Sequence, residues 1–173
     1  MKRRTTTLAT ALSLLPLGQP LLLTSTTALA TGAVVLSTQA AHAQSAKEYF
    51  YRGLEKVDSG DYQGAIDDLN KSIEINPQSA NAYYNRGHAK SDSGDHRGAI
   101  SDYNKSIEIN PQSANAYFNR GLAKSDLGDH RGAISDYNKA IALNPQDAFS
   151  YNNRGYAKRK LGDNQGAITD YNK

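Results

Sequence analysis

Residues 79–112 read SANAYYNRGHAKSDSGDHRGAISDYNKSIEINPQ, and residues 113–146 repeat them with six changes. These are Tyr84/Phe118, His88/Leu122, Ser93/Leu127, Ser106/Ala140, Glu108/Ala142 and Ile109/Leu143. The same frame extends back to Ser45 and forward to Lys173. A fixed period of this size means one supersecondary unit stacked on copies of itself, so the period decides the fold before any other feature. Within the third unit, Ser113 is placed to cap a first helix over about residues 114–127. Gly128 supplies the left-handed residue that ends it, and Asp129 caps the next helix, about residues 130–143. Ala133, Ile134, Tyr137, Ala140 and Ile141 recur at helical spacing on one face of that second helix. Asn144-Pro145 stops it, because proline cannot continue the hydrogen-bond ladder. Gly121, Ala133 and Ala140 are small where the two helices should cross closely. Gly60, Gly94 and Gly162, with Pro77 and Pro111, punctuate the other units in the same way. No strand signal follows Gln44, so the expected fold is an all-α solenoid.

The spacing of Tyr83, Gly87, Gly94-Asp95, Ala99-Ile100, Tyr103 and Pro111 resembles the tetratricopeptide repeat (TPR) family. The resemblance covers residues 46–173 as units 46–79, 80–113, 114–147 and an incomplete 148–173. It implies helix-turn-helix units wound into a right-handed superhelix that binds other proteins and is not an enzyme. Arg86 and Lys90 stand where the family usually has Leu and Tyr, and the pair recurs as Arg52/Lys56, Arg120/Lys124 and Arg154/Lys158. Each of the four arginines is followed 16 residues later by an aspartate: Asp68, Asp102, Asp136 and Asp170. The sequence therefore predicts an ion pair between the two helices of every unit. The fourth unit stops before its second helix is complete, which would leave Ile168 and Tyr171 at an uncapped edge. Either the array continues in a longer chain, conceivably one with a catalytic domain, or a partner or second copy covers that edge.

The first 43 residues differ in kind. Met1-Lys2-Arg3-Arg4 is basic, and Thr5 to Gln44 contains no charged residue. Two apolar pieces follow, 8–23 (broken by Pro16, Gly18 and Pro20) and 28–43, the second ending in Ala41-His42-Ala43. A basic start, an apolar middle and a small-residue A-x-A site describe a secretory signal peptide, residues 1–43. The expected location is periplasmic or secreted. The alternative is a retained membrane anchor, although neither piece offers roughly 20 unbroken apolar residues. Intact mass of the protein from an exporting bacterium should correspond to a chain starting at Gln44. A mass retaining Met1 in a membrane fraction would favour the anchor.

The whole chain has a formal net charge of +3, and the three basic residues of the tail account for it. Residues 44–173 carry 17 basic and 17 acidic side chains. That balance removes the electrostatic warrant for nucleic-acid binding, which needs a net basic face. A membrane would be met only through an uncleaved signal. There is no cysteine, which excludes thiolate chemistry and a lipoprotein-type anchor. His96 and His130 hold equivalent places one unit apart, separated by about two helix diameters of roughly 10 Å each, too far to share a metal ion. No nucleophile–base constellation or phosphate loop appears. No cofactor is expected.

In the TPR family, the side of the first helices facing away from their packed glycine lines a concave groove. The resemblance therefore places there one row of Phe50, Tyr84, Phe118 and Asn152 and an adjacent row of Tyr51, Asn85, Asn119 and Asn153. A third row holds Leu54, His88, Leu122 and Tyr156, with Asn81 and Asn115 one turn earlier. An asparagine amide offers both a donor and an acceptor to a peptide backbone, and the row resembles the ladder by which some TPR proteins hold extended peptides. The chaperone-binding subtype clamps a carboxylate with Lys and Arg. The matching places here are Phe50, Leu54, Asn85, Asn115 and Asn119, and only Asn85 agrees, so no cation is left to pair that carboxylate.

Overall fold

Serine, aspartate, glycine and proline at fixed offsets leave each unit of this sequence one low-energy course, two helices joined by a tight turn. The computed structural model describes residues 26–173, with side chains from residue 41 onward. Residues 38–173 form one compact unit, and the account below concerns that unit. Among the described residues there are eight helices: α1 (Thr26–Asp58), α2 (Tyr62–Ile75), α3 (Ala80–Asp92), α4 (His96–Ile109), α5 (Ala114–Asp126), α6 (His130–Leu143), α7 (Ala148–Lys160) and α8 (Asn164–Tyr171). From α2 onward every helix packs on its successor, and α3, α5 and α7 also touch in series. No strand occurs among the described residues, as the period implied.

The predicted punctuation is in place. The Ser79 and Ser113 hydroxyls accept hydrogen bonds from the amides of Ala82 and Ala116. Asp61, Asp95, Asp129 and Asp163 cap the second helices through the amides three residues on. Such a cap is worth about 1 kcal/mol. Between the two helices of the third unit, Gly128 adopts φ +82°, a conformation only glycine takes at little cost.

The core follows the helical period. Ala99, Tyr103 and Ala123 form one buried cluster, and Ala133, Tyr137 and Ala157 form its equivalent one unit on. Each cluster joins a second helix to the first helix of the next unit, so neighbouring units share a core. Gly121 faces the Tyr137 ring so closely that a Cβ there would lie 2.7 Å from Tyr137 Cε1. A glycine at 121 is thus required by the crossing, and Ala133 and Ala140 are both buried.

Ion pairs join the helices in all four units. Arg120 Nε and Nη2 donate to Asp136 Oδ2 and Oδ1 at 2.9 and 2.5 Å. Arg52–Asp68, Arg86–Asp102 and Arg154–Asp170 repeat the two-bond fork. Two further partners went unread in the sequence. Lys56, Lys90, Lys124 and Lys158 each reach the same aspartate at 2.8 Å, so one buried carboxylate is met by two cations. The third guanidinium nitrogen of Arg86, Arg120 and Arg154 donates at 2.7 Å to Asn70, Asn104 and Asn138 of the preceding unit. Each of these arginines therefore closes its own hairpin and ties it to the one before.

At its start the array departs from the regular unit. Later first helices begin after an Asn-Pro stop, whereas α1 runs unbroken through Ala43, Gln44 and Ser45. The alanine-rich stretch before Ala46 has no proline, and the Ser45 hydroxyl donates to the Ala41 carbonyl inside the helix instead of capping a new one. The basic start and the first apolar piece, 8–23, lie outside the described residues. No described helix is long and apolar enough to cross a membrane. At the other end Ile168 and Tyr171 are 53% and 45% exposed.

Candidate functional site

Helical spacing on α1, α3, α5 and α7 aligns the expected rows. Phe50, Tyr84 and Phe118 are half-buried. The inner face of Tyr84 meets Tyr103 with ring centroids 5.9 Å apart, and Phe118 meets Tyr137 at the same separation. Tyr84 and Phe118 therefore belong partly to the core and turn only part of their surface outward. Asn81 and Asn115 are exposed, Leu122 is half-buried, and Tyr156 is 38% exposed. His88 is engaged by Asp92 at 3.1 Å on its own helix.

The asparagine row is less free than residue type alone implies. Asn85 donates to the Asn81 carbonyl and Asn153 to the Phe149 carbonyl, both at 2.8 Å within their own helices. Asn119 instead crosses to the preceding unit and donates to the Tyr84 hydroxyl at 2.7 Å. The difference has a simple cause. The residue 35 places before Asn119 is a tyrosine, but before Asn85 and Asn153 it is Phe50 and Phe118, which have no hydroxyl. One amide hydrogen of each asparagine is thus spent inside the protein, and the side-chain carbonyl keeps its capacity to accept. Burial pushes the Tyr84 hydroxyl pKa up against the opposing effect of the Asn119 bond, so the phenol stays protonated and able to donate.

One exposed ring on the first helices went unread. Phe149, 73% exposed on the first turn of α7, continues the line of Lys47, Asn81 and Asn115. Its equivalents are all polar, so only the period itself could have pointed to it. The two repeat-equivalent histidines have different partners: His96 lies 3.7 Å from Asp126, and His130 lies 3.4 Å from the Ser125 hydroxyl with its ring edge against Tyr156.

Comparison with known proteins agrees with this geometry. Models described as TPR repeat match residues 53–94 and 87–128, and models described as tetratricopeptide repeat match 114–147 and 136–169. Among solved structures, MamA is 28% identical with a TM-score of 0.72, over 73% of this chain and 74% of that one. The first TPR of Spaghetti (RPAP3), solved bound to the HSP90 peptide SRMEEVD, is 26% identical with a TM-score of 0.68, over 69% of this chain and 95% of that one. The first TPR domain of human RPAP3, 24% identical with a TM-score of 0.67 over 71% and 97%, shares the fold. No curated protein matches the chain. Four units of paired helices, their shared cores and these matches lead to one conclusion: the chain belongs to the tetratricopeptide repeat family.

Proposed function

We propose that this protein is a non-catalytic scaffold that holds an extended segment of another protein along the exposed face of its first helices. The observation that carries the reading is the alternation on that face of half-buried rings, Phe50, Tyr84 and Phe118, with asparagines whose carbonyls remain open. Rings bury apolar side chains at about 25 cal/mol per Å², and each asparagine contact adds a net of about 1 kcal/mol. The sum supports an affinity no tighter than about micromolar, roughly −8 kcal/mol. The similar Spaghetti domain was solved with an acidic peptide; here the first-helix places that would clamp a carboxylate are Phe50, Leu54, Asn115 and Asn119, which favours a different peptide class. With a neutral array, binding should depend little on salt. If the tail is an export signal, this happens in the periplasm or outside the cell.

The test is a peptide-array screen followed by variants on the best binder. Phe118→Ala should weaken binding about tenfold. Asn119→Ala and Asn153→Ala should each weaken it several-fold, with helix content unchanged in all three. Asn153 is the cleaner probe, because its internal bond is confined to its own helix. Unchanged binding in all three variants would move the site elsewhere. A second reading would then lead, in which the outward face of α8 stacks on a further first helix. Ile168 and Tyr171 are exposed there, and Asn172 stands 34 places beyond Asn138 in the row that receives arginines. A second copy or further chain could supply that helix, and sedimentation across a concentration series would distinguish the two.

A further inference from the structure

Two clefts open on the groove where consecutive units meet, and they occupy the same place one repeat apart. The first is bounded by Ala46, Lys47 and Phe50 of α1, Ile75 and Asn76 at the end of α2, and Asn81. The second is bounded by Ala80, Asn81 and Tyr84 of α3, Asn110 after α4, and Asn115. The pairs Ala46/Ala80, Lys47/Asn81, Phe50/Tyr84, Asn76/Asn110 and Asn81/Asn115 are each 34 residues apart. Their chemistry nevertheless differs. The first cleft, about 470 Å³, is floored by Phe50, Ile75 and Ala46. The second, about 110 Å³, is lined by asparagines and serines together with Ala80 and Tyr84.

Two departures from the repeat produce the contrast. Because α1 continues through residue 43, His42 and Ala43 wall the first cleft of the uncleaved chain, where the later unit has a turn. A chain starting at Gln44 would keep its Ala46, Phe50 and Ile75 floor without that wall. Phe50 has no hydroxyl, whereas Tyr84 has one that is already oriented by Asn119. The Tyr84 proton has no acceptor among the described residues, and it can be given to a ligand. Lys47, resting over the Tyr51 ring at 5.8 Å, also lines the first cleft, and among the described residues no carboxylate does.

We infer that the groove selects its segment by a pair of side chains: a branched aliphatic or aromatic residue in the first cleft, flanked by an acidic one, and Ser, Thr or Asn in the second. This rests on the reading of the groove as a peptide site. First helices touch in series, α3 on α5 and α5 on α7. On this face one repeat therefore spans about one helix diameter, on the order of 10 Å, not the two expected between second-helix histidines. An extended chain advances about 3.3 Å per residue, so the two selected positions are about three residues apart. The polar lining of the second cleft, not its size, disfavours a leucine, which would leave the asparagine amides and serine hydroxyls there without partners. The absence of a cation in it favours a neutral amide or hydroxyl over a carboxylate.

The experiment uses the full chain against a displayed library of random peptides. Groove binders are those held by the parent protein and lost by the double variant Phe118→Ala/Asn153→Ala. They should share the apolar–polar pair, and a peptide carrying Leu at the first position should bind at least tenfold tighter than its Leu→Ser version. Phe50→Ser in the protein should abolish that preference, with helix content checked by circular dichroism. Tyr84→Phe, which keeps the ring, should cut the preference for Ser or Asn over Leu at the second position several-fold. Groove binders with no such pair, or variants that weaken every peptide equally, would overturn the inference while leaving the groove a peptide site. Finding no groove binder would overturn both.

Discussion

Replacing Asp136 by alanine should lower the stability of the array by about 3–5 kcal/mol, the range for removing one partner of a buried ion pair. Asp136 is 2% exposed and accepts from Arg120 and Lys124 together. Without it two cations face each other in a space shaped for a carboxylate. Their side chains are 17% and 22% exposed, so they can turn partly to water, and the lower half of that range is the better expectation. For a unit of this size each kcal/mol moves Tm by roughly 3–6 °C, so a fall of 10 °C or more is expected. Asp136→Asn keeps one acceptor and should lose less. A Tm within 2 °C of the parent for Asp136→Ala would show that the fork contributes nothing net.

At the first and last forks, acid should have a gradual effect. The Arg52 hydrogen bond is the main cause holding the Asp68 carboxyl well below its ordinary range, and it outweighs desolvation. Burial pushes the Asp170 carboxyl up, but the hydrogen bonds from Arg154 and Lys158 outweigh it and the net shift is also downward. A carboxyl with a depressed folded-state pKa stabilises above its unfolded value, about 3.9. The contribution is lost as pH falls toward the folded-state value. Melting temperature should thus be flat with respect to these groups from neutral pH to about 5 and fall below about 4.

The second large effect is expected at Gly121. Placing a side chain there sets two effects against each other. Gly→Ala inside a helix gains about 1 kcal/mol of propensity, while overpacking a filled core costs typically 1–3 kcal/mol. The added Cβ would lie 2.7 Å from Tyr137 Cε1 and 3.0 Å from Cδ1, and Tyr137 is 1% exposed with nowhere to retreat. Gly121→Ala should therefore be destabilising by no more than about 2 kcal/mol after the propensity gain. Gly121→Leu cannot be housed and should separate α5 from α6, with loss of cooperative melting by circular dichroism. A cooperative Gly121→Leu transition near the parent Tm would refute the close crossing.

The period made the architecture legible because every unit repeats the same caps, stops and small residues. The recurrence of Arg and Asp 16 places apart was enough to place the fork, since each member lies on a helix whose packed face was already fixed. The lysine and the asparagine that complete it were not legible for different reasons. A lysine one turn after the arginine looks like a solvated residue until the buried carboxylate is located. Asn70, Asn104 and Asn138 meet arginines of another unit, which no pattern within one unit reveals. The first-helix asparagines were legible as positions but not as bonding states. Whether an asparagine amide folds back on its own helix or crosses to a neighbour depends on a single hydroxyl 35 residues earlier. The continuity of α1 past Ser45 was not read because the repeat frame was taken to begin at Ser45, where no Asn-Pro stop precedes the serine to make it a cap.

The bond from each arginine to the asparagine of the unit before it bears on how such a gene can change length. Each of the two inner units, 80–113 and 114–147, carries one arginine that reaches backward and one asparagine that receives from ahead. An in-frame duplication of 34 codons would insert both together, leaving no orphaned cation and no unmet carbonyl at either new junction. Deleting a whole unit rejoins the flanking pair just as cleanly. Unequal recombination between near-identical units is thus structurally silent wherever it respects the frame, and the near-identity of residues 79–112 and 113–146 is the trace such an event would leave.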